Sequence, residues 1–415
     1  MNAIVLPAPP TTTDLRSRLR RAELRKRLGA YALILPLAVF TLLTFLVPIG
    51  QMLFQSVDNP VVAEALPRSS ALLRAQAADA GVPDEAVFSA LAADMKEAVE
   101  AQKASRVANR MNYEKGGLRT LFMKTARQLD AVEQGPWKEA FVKIDPAWGQ
   151  PKAWSVLRRV SHPYTGDYYL HAMDFDRDAN GQIVRVPEDE RVYVNVFART
   201  LWVSLVVTLA CLAIGYPLAF WISHLPARTA NLMMVLVLLP FWTSLLVRTT
   251  AWVVLLQKEG VVNSALMATG LIHEPLTLIF NRFGVVIAMT HILLPFMILP
   301  LCSVMRQISP AYVRAARSLG ASPATSFFRV YLPQSTAGIS AGVLLVFILS
   351  VGYYITPALV GGAGDQMMSY FIADHLTRSL NWGLASALGG VLLAAVFLLY
   401  AVYERFVGIA NVRLG

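Results

Sequence analysis

Residues 309–335 read SPAYVRAARSLGASPATSFFRVYLPQS. Two short amphipathic pieces are legible in them. The first spans about 310–319. Pro310 starts it, at a helical position whose N–H would be unsatisfied anyway, and Gly320 ends it. The second begins at Ser322-Pro323, again a capping hydroxyl followed by a proline. Gly320 permits the sharp bend between the two pieces, because glycine adopts positive φ without steric cost. Leu332-Pro333 is expected to stop the second piece before the next long apolar run.

On both sides of this basic stretch lie segments long enough to cross a bilayer, which takes about 20 mostly apolar residues as helix. Six qualify, at 30–55, 197–223, 231–257, 283–304, 338–361 and 384–406, and none has an acidic residue in its middle. Pro36, Pro48, Pro217, Pro240, Pro295 and Pro357 fall inside them. Prolines are tolerated there when neighbouring helices re-satisfy the backbone. The whole chain agrees: of 415 residues 55% are hydrophobic and 15% charged, with mean hydropathy +0.49. A soluble domain holds about 45–50% apolar and about 25% charged residues. The expected class is therefore an all-α integral membrane protein with six transmembrane helices, and a disordered or fibrous chain is excluded. Cys211 and Cys302 both sit in apolar segments, so neither a disulfide framework nor a zinc cluster is expected.

The net charge of +10 is uneven. Residues 58–191 hold 18 Lys+Arg against 20 Asp+Glu, and the remainder holds 19 against 7. The basic excess flanks apolar segments rather than forming a patch on a soluble face, which argues against nucleic acid as a partner. Lys and Arg near helix ends also set orientation. Seven basic residues lie between Arg16 and Arg27. With residues 1–29 cytoplasmic, the inner loops also receive Arg228, then Arg306, Arg314, Arg317 and Arg329, then Arg405 and Arg413. The two short outer loops hold only Lys258, Arg282 and Arg378. Both termini, 1–29 and 410–415, are thus expected in the cytoplasm. Residues 1–15 lack an apolar core, and the first apolar run lacks a small-residue cleavage exit. Segment 30–57 is accordingly expected to remain as an anchor.

Residues 58–191 form a polar, domain-sized insertion between the first and second helices, expected outside the cytoplasmic membrane. Residues 84–110 and 117–133 show a 3.6-residue apolar period and are expected as amphipathic helices; from 150 onward the run turns aromatic and irregular. The insertion suits a helical cap, a docking surface for an extracytoplasmic partner, or both. Within it, 176–183 reads DRDANGQI. Asp176, Asp178 and Asn180 occupy positions 1, 3 and 5 of an EF-hand-like loop, but position 12 is Pro187 where a bidentate Glu belongs. Asn-Gly between extended, β-branched runs also signals a hairpin, the reading that fits more of the residues.

The 306–337 loop resembles the EAA loop of binding-protein-dependent ABC importer permeases. That family's pattern is E-A-A, three residues, G, nine residues, I, one residue, L-P. Ala315-Ala316 lead by three residues to Gly320, and nine residues later come Val330, Tyr331 and Leu332-Pro333. Arg314 stands where the pattern has Glu. Further stretches are similar to the spermidine/putrescine-type permeases: LPFWTSLLVRT (239–249) with Ala251-Trp252 and GVVN (260–263), LLPFMILPL (293–301), VGYYITPALVGG (351–362) and the second helix, 199–223. The resemblance covers roughly 31–57 and 192–409 and is silent on 58–191.

It implies a type I importer permease fold, with a five-helix core over 192–409. It also implies a bacterial inner membrane location and four kinds of partner besides the bilayer. These are a second permease subunit, two cytoplasmic ATPase subunits and a periplasmic solute-binding protein. Arg314, Ala315, Ala316, Gly320, Val330, Leu332 and Pro333 would form the ATPase contact, and ATP with Mg would bind the ATPase. In this chain no cofactor and no hydrolysis are expected. There is no G-x-x-x-x-G-K-[ST] loop and no histidine–carboxylate cluster. The implied solute is a polyamine such as putrescine or spermidine; opines, aminophosphonates, thiamine or ferric iron are alternatives within the same class. A membrane sensor is the contrasting reading, but only about nine residues follow the sixth helix to carry any output.

The solute pathway is least legible. Trp242, Trp252, Tyr353 and Tyr354 offer aromatic faces that could hold an amine by cation–π attraction, though membrane aromatics more often serve packing or the interface belt. Arg248 reads as a snorkelling or structural residue, or as one facing an anionic solute. His291 reads as a helix–helix contact rather than a ligand. Glu259, Glu274, Asp365 and Asp374 lie in outer loops, where they could attract a cation or dock the binding protein. The orientation is directly testable. Protease added outside spheroplasts should cut within 58–191 and spare 306–337; the reverse pattern would invert the topology.

Overall fold

The computed structural model describes residues 12–77, 80–129, 132, 135–178 and 181–407. Asn180 and the tail 410–415 lie outside the described residues. The chain divides into two compact units, residues 1–55 and 56–415. Among the described residues five helices are long and apolar enough to span a membrane, or six if one sharply bent pair counts as a single span.

The described part of the first unit is one continuous helix. Thr12–Thr41 passes through a π-helical turn at Leu42–Leu46 into Val47–Gln55, with Gly29–Gln55 as its apolar part. Pro48 stands two residues beyond the π turn. A proline inside a helix removes a donor and clashes with the carbonyl four residues back, and the widened turn takes up both. Thr44 Oγ1 donates to the Phe40 carbonyl at 2.7 Å, using a side chain where water is absent.

The second unit opens with the insertion. Its helices run Pro60–Ala65, Pro67–Arg74, Glu85–Glu100, Ala104–Glu114, Leu118–Gln128, Trp137–Ile144, Pro151–Val160 and Asp167–Ala172. Two expectations need correction. The single helix expected over 84–110 breaks at 101–103, where Gln102 takes φ 55°, so that both halves turn their apolar faces onto one core. The stretch from 150 is helical at Pro151–Val160 and Asp167–Ala172 rather than irregular, and Trp154 and Tyr168 pack inward from these helices while Tyr164, between them, is exposed. Phe88, Phe141, Trp148 and Trp154 are fully buried with ring centroids 4.6–5.4 Å apart. Each such aromatic pair contributes about 0.5–1.5 kcal/mol beyond its buried area. The indole nitrogens are satisfied by Thr125 Oγ1 at 2.8 Å and the Trp148 carbonyl at 2.9 Å. Arg110 is buried yet charged. Burial opposes the charge, but Glu114 at 2.6 Å, together with Tyr168 and Asp167, holds the guanidinium above its usual value.

The Asn-Gly stretch does form a hairpin, Phe175–Arg177 paired antiparallel with Ile183–Arg185. It brings the insertion back to the membrane core. Asp174, just before the hairpin, is buried and sits at φ 56°, a conformation that Asp tolerates better than most residues. Its carboxylate accepts from the N–H groups of Val192, Tyr193 and Val194 at 3.2, 3.0 and 2.8 Å. It therefore caps the second span, Tyr193–Ser223, from 18 residues upstream. The insertion also meets the sixth span, Trp382–Arg405. Tyr113 Oη donates to the Ser379 carbonyl at 2.6 Å, and a Cβ at Gly383 would lie 2.3 Å from the Tyr168 ring.

The centre of the membrane core is three helices packed side by side: Tyr193–Ser223, Arg282–Met305 and Pro323–Gly352. Small residues let them approach. A Cβ at Gly342 would come within 2.7 Å of Met297 Sδ, and one at Gly338 within 3.2 Å of the Pro300 carbonyl oxygen.

Three expectations about spans are corrected. The third span is not one helix over 231–257 but Ala227–Trp242 and Leu245–Ala268, bent by 95°. Thr243 and Ser244 are extended at the break, and the Thr243 hydroxyl donates to the Pro240 carbonyl at 2.8 Å. Pro333 does not stop a helix. Pro323–Gly352 runs unbroken because a second π turn, Phe327–Tyr331, precedes Pro333 as the first precedes Pro48. Finally, 338–361 is interrupted at Tyr353, after which Ile355–Val360 is a separate short helix. Pro357 could neither bond to nor clear the carbonyl four residues back, which is that of Tyr353.

Removing the Asp174 carboxylate should loosen the junction between insertion and core. Asp174→Ala is expected to cost about 1–2 kcal/mol, as for other lost N-caps, and to speed amide exchange at 192–194. Asp174→Asn should keep most of the protection.

Candidate functional site

The 309–335 stretch is an exposed helix–turn–helix. Pro310–Ser318 is capped by Ser309, whose Oγ accepts from the Ala311 N–H at 3.3 Å. Gly320 sits at φ 89°. The Gly320 N–H donates to the Arg317 carbonyl at 3.0 Å and the Ala321 N–H to the Ala316 carbonyl at 3.1 Å. These two bonds are the Schellman closure of a helix C-terminus. The closure explains the sequence spacing: it needs a left-handed residue four positions after the acceptor at Ala316, and glycine supplies it. Ser322 Oγ then accepts from the Thr325 N–H at 3.1 Å and starts the helix that becomes the fifth span.

The tip of this turn is Leu319, 90% exposed, with Arg314 and Arg317 exposed on the helix before it and Tyr312 57% exposed. Val330 lies in the π turn, with Leu332 and Pro333 directly after it. Beside Pro310–Ser318 is a cavity of about 340 Å³ lined by Val313, Arg314, Arg317, Phe220, Phe327 and Tyr331. Its floor is rigid: Phe220 packs edge-on against Tyr331 at 5.0 Å and Phe327 at 5.6 Å, and Tyr216 Oη bonds Ser335 Oγ at 3.0 Å. An exposed leucine beside cations, held in a fixed turn, is suited to insertion into another protein and has no means of bond-making chemistry.

The second set of residues gathers at the two span breaks. Leu245–Leu256 packs on Ile355–Val360 through Thr249 and Thr356, whose hydroxyls are 3.2 Å apart and buried. Trp252 Nε1 donates to His291 Nδ1 at 3.2 Å, and the two rings stand edge to face with centroids 5.4 Å apart. Arg248, half-buried, lies near both His291 and Tyr353. The breaks thus bring together Arg248, Trp252, His291 and Tyr353. Trp242, on the other limb of the bent pair, is 75% exposed, and Tyr354 is 42% exposed. The Thr249–Thr356 link has no sequence signal, because nothing local relates positions 107 residues apart.

Other expected sites are occupied by structure. Asp365 pairs with Arg282 at 3.2 Å and accepts from the Gly362 N–H at 3.2 Å. Arg282 in turn lies over the Trp202 ring at 5.4 Å. Asp176 faces His171 at 3.4 Å, and Asp178 Oδ1 accepts from the Gln182 N–H in the hairpin turn. Burial alone would lower the His171 value, but Asp176 and Glu114 raise it. Among the described residues no group of three or more His, Cys, Asp or Glu is placed to hold a metal. Of the EF-hand-like stretch, Asp176 and Asp178 have these partners, and Asn180 lies outside the described residues.

Residues 211–413 match the family of binding-protein-dependent transport system inner membrane components. The spermidine/putrescine transport system permease protein PotB of Haemophilus influenzae is 37% identical over 221 residues, 51% of this chain and 77% of that protein. PotB of Escherichia coli is 33% identical over 223 residues, 54% and 81% of the two chains. Among solved structures, a bacterial ABC transporter involved in the import of the acidic polysaccharide alginate is 20% identical, covering 59% of this chain and 85% of that one, with a TM-score of 0.45. With its apolar helices and its similarity to these permeases, the chain belongs to the binding-protein-dependent transport system inner membrane components, as a multi-pass inner-membrane permease subunit of an ABC importer.

Proposed function

We propose that this permease carries polyamines such as putrescine or spermidine into the cytoplasm. It works with a second permease subunit, two cytoplasmic ATPases that bind ATP and Mg, and a periplasmic solute-binding protein. Both termini and the 306–337 loop face the cytoplasm; the 58–191 insertion faces outward. This chain hydrolyses nothing itself. The names of the relatives support the solute, and the distribution of Lys and Arg supports the orientation.

The observation that carries the coupling role is the Schellman-closed turn at Gly320, which fixes an exposed Leu319 at the loop tip. ATPase closure pushes on that tip, and the fifth span conveys the push to the break at Tyr353. The pathway binds its cargo weakly, as a conducting site must in order to release it. Its spans offer no central carboxylate, only aromatic faces, whose attraction for a cation is about 0.5–2 kcal/mol. Selection then rests on the solute-binding protein.

Two measurements follow. Gly320→Val forces a β-branched residue to φ near 89°, a conformation disfavoured by about 1–2 kcal/mol. The variant should insert normally but lose ATPase co-purification and solute-stimulated ATP hydrolysis. Wild-type coupling in a well-expressed variant would remove the loop from the ATPase contact. In a strain without other polyamine importers, labelled putrescine uptake should require the binding protein. Trp242→Ala or Tyr354→Ala should slow it about two- to thirtyfold, the size of a lost cation–π contact, without changing the preferred solute. Robust import of an anion or a metal, with no polyamine import, would sink the solute assignment and leave the importer standing.

A further inference from the structure

The loop carries charge of one sign. Between 306 and 337 stand Arg306, Arg314, Arg317 and Arg329, with no aspartate or glutamate. All four are exposed, and among the described residues none has a carboxylate within ion-pair distance. Arg314 and Arg317 lie one turn apart on Pro310–Ser318 and both line the cavity of about 340 Å³. Leu319 projects immediately after them. A surface of this kind, an apolar tip beside unpaired cations and a hollow, is complemented by an apolar pocket with an acidic rim. Cations left unpaired on docking would oppose it, and like charges on the partner would oppose it more.

We propose that the groove of the cytoplasmic ATPase that receives this loop is acidic, presenting carboxylates opposite Arg314 and Arg317. This rests on the reading of the loop as the ATPase contact and adds the chemistry of the surface it meets. Arg314 stands at the position that is Glu in the pattern this loop resembles, so the polarity of the contact is inverted there. Anionic lipid headgroups also attract arginines. A lipid surface, however, has no use for a rigid turn and a preformed hollow beside them.

The test uses the full complex, purified in neutral detergent, and reads retention of the ATPase at about 50 mM and about 500 mM salt, which sets charge screening. Arg314 is exposed, so its variants should insert as the wild type does. At low salt Arg314→Lys should retain the ATPase. Arg314→Gln should weaken retention about threefold and Arg314→Glu about tenfold or more, the range for single exposed pairs and their reversal. High salt should compress these differences. Wild-type retention by Arg314→Glu would overturn the proposal. So would equal loss in the Lys, Gln and Glu variants at both salts, which would mean shape rather than charge. So too would an effect confined to vesicles with anionic lipid and absent in detergent, which would assign the arginines to headgroups. Gly320→Val separates the two levels. If it loses the ATPase while Arg314→Glu keeps it, only the acidic groove falls. If both variants keep it, the contact itself is elsewhere.

Discussion

Inside hydrocarbon a backbone carbonyl has no water to turn to, and every proline in a span leaves one carbonyl short of its partner. The architecture of this permease can be read as a set of answers to that constraint. At Pro48 and Pro333 the helix widens into a π turn and continues. At Pro357 it stops, and Tyr353 leaves the helix. Near Pro240 the chain turns through a right angle, and the Thr243 hydroxyl donates to the Pro240 carbonyl. Continuous prolines make levers and broken ones make openings. The two breaks face each other across the Thr249–Thr356 contact, and there the core gathers its polar and aromatic side chains.

The sequence makes the number of apolar segments legible, since length and composition are local. How each proline is resolved is not local. The same residue type sits in Pro333, which continues a helix behind a π turn, in Pro217 and Pro295, which lie inside helices without one, and in Pro357, which follows a break. Gly320 was legible because its need is steric and belongs to one residue, and the closing bonds from 320 and 321 confirm why the alanine–glycine spacing is four. Asp174 was invisible for the opposite reason. It caps a helix that begins 18 residues later, after a hairpin, so no window around Val192 contains the cap. The helix Pro151–Val160 is hidden in the sequence because its one aromatic, Trp154, packs on Phe88 and Trp148 from other elements, a contact that no local window contains.

The insertion is more than a decoration on the membrane core. It has its own aromatic core, and it is joined to the second span through the Asp174 cap and to the sixth through Tyr113 and Tyr168. A buried, fully used carboxylate at a helix start is a stiff joint, because losing it exposes several N–H donors at once. The insertion therefore moves with these two spans rather than swinging on a linker.

The fifth span is what relates the two functional regions. Pro323–Gly352 comprises 30 residues in one helix, about 45 Å at 1.5 Å per residue. One end carries the capped turn around Gly320, and the other ends at the Tyr353 break. Along its length Gly338 and Gly342 seat it closely on Met297 and Pro300, so it can slide or tilt but has little room to bend. The exception is the π turn at 327–331, close to the loop, where Phe327 and Tyr331 pack on Phe220 of the second span. A push at Leu319 meets this braced turn first and then a rigid shaft. Under the proposed coupling, the place where this shaft gives is its far end, because the helix is already interrupted at Tyr353 and the short helix Ile355–Val360 follows it as a separate piece.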